Sequence, residues 1–255
     1  TRHAARGCRS WLGQGLLWTT LALAVLLFAS GVLCLASYYY VASGLPAPEE
    51  LQQRTFTFAS SCIYDRNGGL MWELMDPQAG KRTWVPLSQV SPYLQGATIA
   101  TEDRDFYSNT GVDLVAVLRA LYYNLTEGKI VSGGSTITQQ LARNVLLEPE
   151  ERAEQTLWRK LREAVLALEL ARRYPKDTIL EIYLNQIYYG NLAYGIEAAS
   201  QTYFGKHASD LSLAEAALLA GLPQAPASYD PLVNPAAPKV RQQTVLSLMV
   251  EAGYI

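Results

Sequence analysis

From Trp11 to Val41 the chain carries no charged residue. A bilayer crossing needs about 20 consecutive apolar residues, so this stretch predicts a transmembrane helix and is removed from the core of any globular domain. It is too long for the apolar region of a signal peptide, and Tyr38-Tyr39-Tyr40 before Val41 makes a poor small-residue cleavage site. Arg2, Arg6 and Arg9 precede the run, whereas Glu49 and Glu50 are the first charges after it. The positive-inside rule then leaves the N-terminus cytoplasmic and everything beyond Val41 outside, with Trp11, Trp18 and the three tyrosines as interfacial aromatics. The expected organisation is a tail over 1–10, a membrane helix over 11–41, a linker over 42–54 and one extracytoplasmic domain over 55–255.

Elimination narrows the chemistry of that domain. The net charge of −2 argues against a nucleic-acid partner. Cys8 and Cys34 belong to the tail and the span, so Cys62 stands alone outside, and neither a disulfide framework nor a Cys-rich zinc site can form. His3 lies in the tail. His207 follows Gly205-Lys206 and reads as a surface residue in a turn. Catalysis must rest on carboxylates, arginines, lysines and backbone amides.

Thr55 to Val85 is the one β-like region, with Ile63-Tyr64-Asp65-Arg66 and Leu70-Met71-Trp72 flanking the hairpin signal Asn67-Gly68-Gly69. Helical patterns follow. Ser91-Pro92 opens a helix ending near Glu102. Asp113 starts a second, with Val117, Leu118, Leu121 and Leu125 as its stripe before Gly128. A third runs from Ser135 to about Leu147. A long one from near Glu150 to Arg173 carries Leu157, Leu161, Val165 and Leu168 on one face. Lys176 to Tyr188 turns Ile179, Ile182, Tyr183 and Ile187 inward. Ser212 to Glu215 is a capping box before a helix closed by Gly221, and a last helix follows Pro238. The sequon Asn124-Leu125-Thr126 falls inside a helical pattern and carries little.

Four segments concentrate reactive groups. The apolar helix before Thr101 ends in Glu102-Asp103-Arg104-Asp105-Phe106-Tyr107. The negative end of the helix dipole and the neighbouring acids favour a proton on Glu102, which suits a general base. A solvated acidic helix end explains the same residues more simply. Gly133-Gly134-Ser135-Thr136 precedes a helix N-terminus, where free amides bind anions, and Thr136, Gln140 and Arg143 share one polar face running from it. Arg159-Lys160-Leu161-Arg162-Glu163 contains an i,i+4 pair that, on an exposed surface, contributes only about 0.3–0.5 kcal/mol. Glu181 and Asn185 share a face and read as braces rather than reacting groups.

In this order and spacing the segments resemble the signature motifs of the peptidoglycan glycosyltransferases, the transglycosylase domain of class A penicillin-binding proteins and its monofunctional relatives. Glu102 to Gly111 resembles the first motif and Gly133-Gly134-Ser135-Thr136-Ile137-Thr138-Gln139-Gln140-Leu141 the second. Arg159-Lys160 with Glu163 resembles the third, Ile179-Leu180-Glu181 with Tyr183 and Asn185 the fourth, and Arg241 with Val245-Leu246 the fifth. Three positions depart: Asn109 stands where histidine is usual, Arg143 where lysine is common, and Gln242 where a second arginine is usual. Tyr203-Phe204-Gly205-Lys206 and Gly253-Tyr254-Ile255 look closer to the bifunctional branch.

The resemblance implies a mainly α fold: a lysozyme-like helical head, a small membrane-associated jaw around 112–144, the short hairpin region and the N-terminal span. It implies polymerisation of lipid II on a growing lipid-linked strand at the bacterial cytoplasmic membrane. Glu102 would act as base and Glu163 would assist, with inversion at the anomeric carbon and release of polyprenyl pyrophosphate. Asp103, Phe106, Gly134, Ser135, Thr136, Gln140, Arg143, Arg159, Lys160 and Asn185 would bind substrate. A divalent metal, Mg or Mn, held by Glu163 stays open. Implied partners are the bilayer, cell-wall synthesis proteins and moenomycin-type inhibitors. Two alternatives remain at this point, a lysozyme-like glycan hydrolase and a catalytically silent scaffold that binds lipid II.

Overall fold

The computed structural model describes residues 4–43, 61–67, 70–74, 80–113, 115, 134–154 and 156–255. Two compact units divide the chain, Thr1–Leu45 and Pro46–Ile255. The first is a single helix, α1 (Ala4–Ser43, 40 residues). Its apolar part, Leu17–Ser43, has 27 residues and is long and apolar enough to cross a membrane. At 1.5 Å per residue it spans about 40 Å, against a hydrocarbon core of about 30 Å. Thr20 and Ser30 return their hydroxyls to the carbonyls of Leu17 and Leu27, so neither donor is left to an apolar surrounding.

The second unit is mainly helical. Its hairpin pairs β1 (Ser61–Tyr64) antiparallel with β2 (Leu70–Leu74), as the Asn67-Gly68-Gly69 signal predicts. Asn67 donates its backbone N–H to the Asp65 carboxylate at 2.8 Å, which tightens the turn. The two-residue strands β3 (Lys81–Arg82) and β4 (Ala193–Tyr194) pair in parallel, an association too short to leave a sequence pattern. The helices are α2 (Pro92–Glu102), α3 (Ile137–Leu146), α4 (Pro149–Ala153), α5 (Leu157–Arg173), α6 (Lys176–Gln186), α7 (Ile196–Phe204), α8 (Leu213–Gly221) and α9 (Ala236–Glu251).

Several boundaries differ from expectation. Ser91 precedes α2 as foreseen, but its hydroxyl donates to the Leu211 carbonyl and so ties the helix start to a distant loop. The third expected helix begins two residues later than Ser135, because Thr136 and Gln139 form a capping box. The expected helix from Glu150 to Arg173 is two: Thr156 accepts the Arg159 N–H and caps a new start at Leu157. Its Leu157/Leu161 stripe is also turned outward, with those side chains 85% and 61% exposed. The face that packs carries Arg159, Glu163, Leu166, Ala167 and Leu170. The predicted helix after Asp113 and much of the expected jaw lie outside the described residues.

Packing makes two helix groups. In one, α2 contacts α8 and α9; in the other, α3 lies against α5 and α6. Leu94, Ala97 and Ile99 fill the first, and Ile137, Leu141, Ile179 and Tyr183 the second, all 2% exposed or less. The C-terminal end of α2 and the N-terminal end of α3 meet where these groups join. There the sequence places its acidic cluster and its glycine turn.

Candidate active site

Glu102 is the last residue of α2, and Asp103 is the cap, its N–H bonded to the Ile99 carbonyl at 3.0 Å. The Asp103 carboxyl is buried and turns across the junction. It accepts both contacts of the Asn109 amide, at 2.9 and 3.0 Å, and the backbone N–H of Ile137 at 3.1 Å. Ile137 opens α3, so the anion site expected at that helix N-terminus is filled by the chain's own carboxylate. Burial pushes the Asp103 carboxyl above the usual carboxylate range, while the bonds from Asn109 and Ile137 and the nearby Lys176 charge oppose the rise.

Asn109 works with both ends of its amide. Its oxygen accepts from Gly111 N–H and from the Lys176 ammonium, each at 2.9 Å. Lys176 also lies 4.7 Å from the Phe106 ring centroid. Gly111 holds φ at +99°, and a Cβ there would come 2.4 Å from the Ala167 carbonyl oxygen, so only glycine fits. Its own carbonyl accepts the Thr136 hydroxyl at 2.6 Å. The first and second motifs are thereby fastened to one another and to α5.

Gln140 donates its amide to Glu102 Oε2 at 2.7 Å, and its amide oxygen accepts from the Tyr183 hydroxyl at 3.1 Å. Burial raises the Tyr183 phenol well above its ordinary value, so the hydroxyl remains a donor. A donor on the amide oxygen favours the orientation with N–H toward Glu102. One carboxylate oxygen is anchored in this way.

Two cavities meet at Glu102. The larger, about 640 Å³, is lined by Thr101, Glu102, Asp103, Arg104, Asp105, Asp113, Gly134, Ser135 and Thr136, with Ala100 and Leu248. The smaller, about 250 Å³, is lined by Thr101, Glu102, Ser135, Gln140, Arg143, Pro223, Gln224 and Arg241. Cationic groups therefore collect on the smaller one and carboxylates on the larger.

Behind Ser135 stands the third motif. Glu163, 1% exposed, pairs with Arg159 through one oxygen and with Lys160 through the other at 3.1 Å. Lys160 reaches on to the Ser135 hydroxyl at 3.2 Å. Both Glu163 oxygens are thus occupied by cations. Among the described residues no group of three His, Cys, Asp or Glu gathers elsewhere. This donor set does not fit a divalent metal at Glu163.

Four expected substrate contacts are not on the cavity walls: Arg159 and Lys160, which stand behind Ser135, and Phe106 and Asn185. Phe106 is fully buried beside Lys176. Asn185 is also fully buried and grips Val85, accepting its N–H at 2.9 Å and donating to its carbonyl at 2.8 Å. Both hold the scaffold. His207, 74% exposed at its side chain, pairs with buried Glu197 and lines neither cavity. Gln242 donates to the Ala214 carbonyl at 2.6 Å and fastens α9 to α8. Of the other wall positions, Gln224 and Asp113 were not foreseen as site positions, while Arg241 and Asp105 were named only within the fifth and first motifs, which is the sequence signal that could have placed them there.

The family profile described as Transglycosylase matches residues 67–250. The chain belongs to the transglycosylase family. This transglycosylase domain is 45% identical over 235 residues to penicillin-binding protein 1A of Aquifex aeolicus, covering 92% of this chain and 31% of that protein. It is 41% identical to penicillin-binding protein 1F of Bacillus subtilis, over 80% of this chain and 28% of that one. It is 40% identical to penicillin-binding protein 1A of Pseudomonas aeruginosa, over 93% and 28%. The transglycosylase domain thus spans less than a third of the length of these relatives. A crystal structure of penicillin-binding protein 1A from Haemophilus influenzae aligns at TM-score 0.40 and 25% identity, covering 77% of this chain and 19% of that one.

Proposed function

We propose that this domain polymerises glycan strands from lipid II, with Glu102 as the general base. The acceptor's sugar hydroxyl loses its proton to Glu102 as its oxygen attacks the anomeric carbon of the lipid-linked strand. A glycosidic bond forms, the bond from the anomeric carbon to the pyrophosphate breaks with inversion, and polyprenyl pyrophosphate leaves with the bonding pair. Arg143, and Lys160 oriented by Glu163, face the negative charge that develops on the leaving group, with Arg159 adding its charge from behind. Asp103, Asn109 and Lys176 position the two motifs.

The observation that carries this reading is the place of Glu102. It stands at the junction of two cavities, one oxygen anchored by Gln140, with a cationic wall beside it. A hydrolase acting on neutral glycan has no use for that wall. The apolar helix supports a membrane-anchored enzyme, and the arginines before it support a cytoplasmic N-terminus with the domain on the outer side. A lipid-borne substrate explains why the catalyst is tethered.

The test is incubation of the purified chain with lipid II in detergent, followed by gel separation of the products. The wild-type chain is expected to give a ladder of polymer. Glu102→Gln is nearly isosteric but cannot accept the proton, and should lose a factor of about 10² or more in rate while keeping its fold. Equal rates would remove Glu102 from the chemistry. Consumption of lipid II to short, reducing products would instead show hydrolysis.

A further inference from the structure

Tyr183, on α6, is 1% exposed and sits where α6 packs against α3. A hydroxyl taken that far from water costs free energy unless it is bonded. Among the described residues its one hydrogen-bond partner is Gln140, whose amide oxygen accepts from it at 3.1 Å. The other end of the same amide donates to Glu102 Oε2 at 2.7 Å. Tyr183, Gln140 and Glu102 thus form one directed chain of two hydrogen bonds, from α6 through α3 to the end of α2. Tyr183 itself lines neither cavity.

Two penalties keep the chain pointing this way. An amide turned end for end would set its oxygen against the Glu102 carboxylate, an acceptor facing an acceptor. It would also leave the Tyr183 proton in the core with no acceptor among the described residues, and a buried donor without a partner is destabilising. Burial holds the phenol well above its ordinary value, so that proton stays on. With phenylalanine at 183 the second penalty disappears. The reversed amide would then suit a protonated Glu102, whose O–H it can accept. The hydroxyl therefore favours the arrangement in which Glu102 is ready to take a proton.

We infer that Tyr183 is a positioning residue for the base: its hydroxyl fixes the direction of the Gln140 amide and through it keeps Glu102 an acceptor. The inference rests on the proposed polymerase reading for its effect on rate, and on the hydrogen bonds alone for the orientation. Arg143 and Arg241 face Glu102 across the smaller cavity, and Asp103, Arg104, Asp105 and Asp113 share the larger one with it. The buried Tyr189 phenol also feels the Glu102 charge. All of these are unchanged by removing the Tyr183 oxygen, so a difference between the two chains reports that oxygen.

The test uses the full chain in detergent. In Tyr183→Phe, kcat on lipid II should fall about tenfold with KM within about twofold, because the ring stays and the cavity walls are untouched. The acid limb of its pH–rate profile should move up by about half a unit or more, since the loosened amide also accepts from a protonated Glu102. In a Gln140→Ala background the same substitution should change the rate no further, as no amide is left to orient. Tyr203→Phe is the control for a phenol lost elsewhere. Its hydroxyl donates to the Tyr189 carbonyl at 2.8 Å, and this variant should lose thermal stability with the acid limb unmoved. A readout free of activity is the side-chain amide signal of Gln140 in heteronuclear NMR spectra, assigned by its loss in Gln140→Ala. In wild type its proton shifts should follow ionisation of the Glu102 carboxylate, and in Tyr183→Phe that response should shrink. This pair of NMR results in a chain that makes no polymer keeps the orientation and loses the polymerase reading. A folded Tyr183→Phe chain with the wild-type amide response, kcat and acid limb overturns the inference, as does a further loss of rate in the Gln140→Ala background.

Discussion

Asn109 makes four polar contacts with one side chain: two to the Asp103 carboxyl, one from Gly111 N–H and one from Lys176. Asp103 in turn accepts the first N–H of α3, so the amide of Asn109 stands two steps from Gln140 and Glu102. Replacing it by alanine leaves a desolvated carboxyl with fewer donors and two donors without their acceptor. Such losses cost about 1–3 kcal/mol each when water cannot substitute. Asn109→Ala is therefore expected to lower the unfolding free energy measured by urea denaturation by an amount in that range and to slow polymer formation. A change below about 0.5 kcal/mol, the size of an ordinary surface substitution, would mean that water replaces the amide. The sequence marks Asn109 only as a departure from the usual histidine. Asparagine keeps one donating and one accepting end, and that it connects Asp103 with Lys176, 67 positions away, is a property of the packed structure.

Helix starts were legible where the signal is local. At α8, Ser212 and Glu215 exchange hydrogen bonds as their spacing predicts, and the Glu215 carboxylate also accepts from Lys206 at 2.9 Å. The Lys206 bond first, then those of Ser212, hold the Glu215 carboxyl down at about 2, against an ordinary value of 4.5. A depressed carboxyl contributes stability that is present above its ordinary value and is lost as pH falls toward its folded value. Wild type should accordingly exceed Glu215→Gln by about 1 kcal/mol at neutral pH, the scale of a cap. That advantage should fade between about 4.5 and about 2. Urea midpoints of both chains across this range provide the check, and a constant difference would deny Glu215 its charge-dependent role. The break between α4 and α5 escaped notice because residues 150–155 are good helix formers and only the Thr156 cap signals a new start. The outward stripe of α5 has a related cause. Periodicity shows that Leu157 and Leu161 share a face, while contact with α3 decides which face is covered.

At the scale of the molecule, the helix Ala4–Ser43 and residues 46–255 form separate compact units. Every residue assigned a role at the site belongs to the second. Removing residues 1–43 should leave a domain with a cooperative thermal transition and the same helical signature. Its rate on lipid II in liposomes should fall, because tethering raises encounter frequency but supplies no reacting group. Circular dichroism of the shortened chain and its rate of polymer formation from lipid II in liposomes measure both effects. A loss of cooperative unfolding would show that the first helix belongs to the core of the second unit.

The sequence alone determined the properties that depend on near neighbours along the chain. These are the apolar run that can cross a bilayer, the hairpin turn, the capping boxes and the ordered motifs that identify the transglycosylase family. Each is a matter of residue type at fixed short spacing, where backbone geometry decides the outcome. Tertiary structure decided which charges meet. It gave the first N–H of α3 to Asp103, buried Glu163 with its helix-neighbour cations, buried Phe106 and Asn185 as supports, and brought Arg241 from α9 to the cavity that holds Glu102 and Arg143. Burial and pairing at long range depend on how helices pack, and one-dimensional spacing does not encode which polar side chain of a helix will find its partner a hundred residues away.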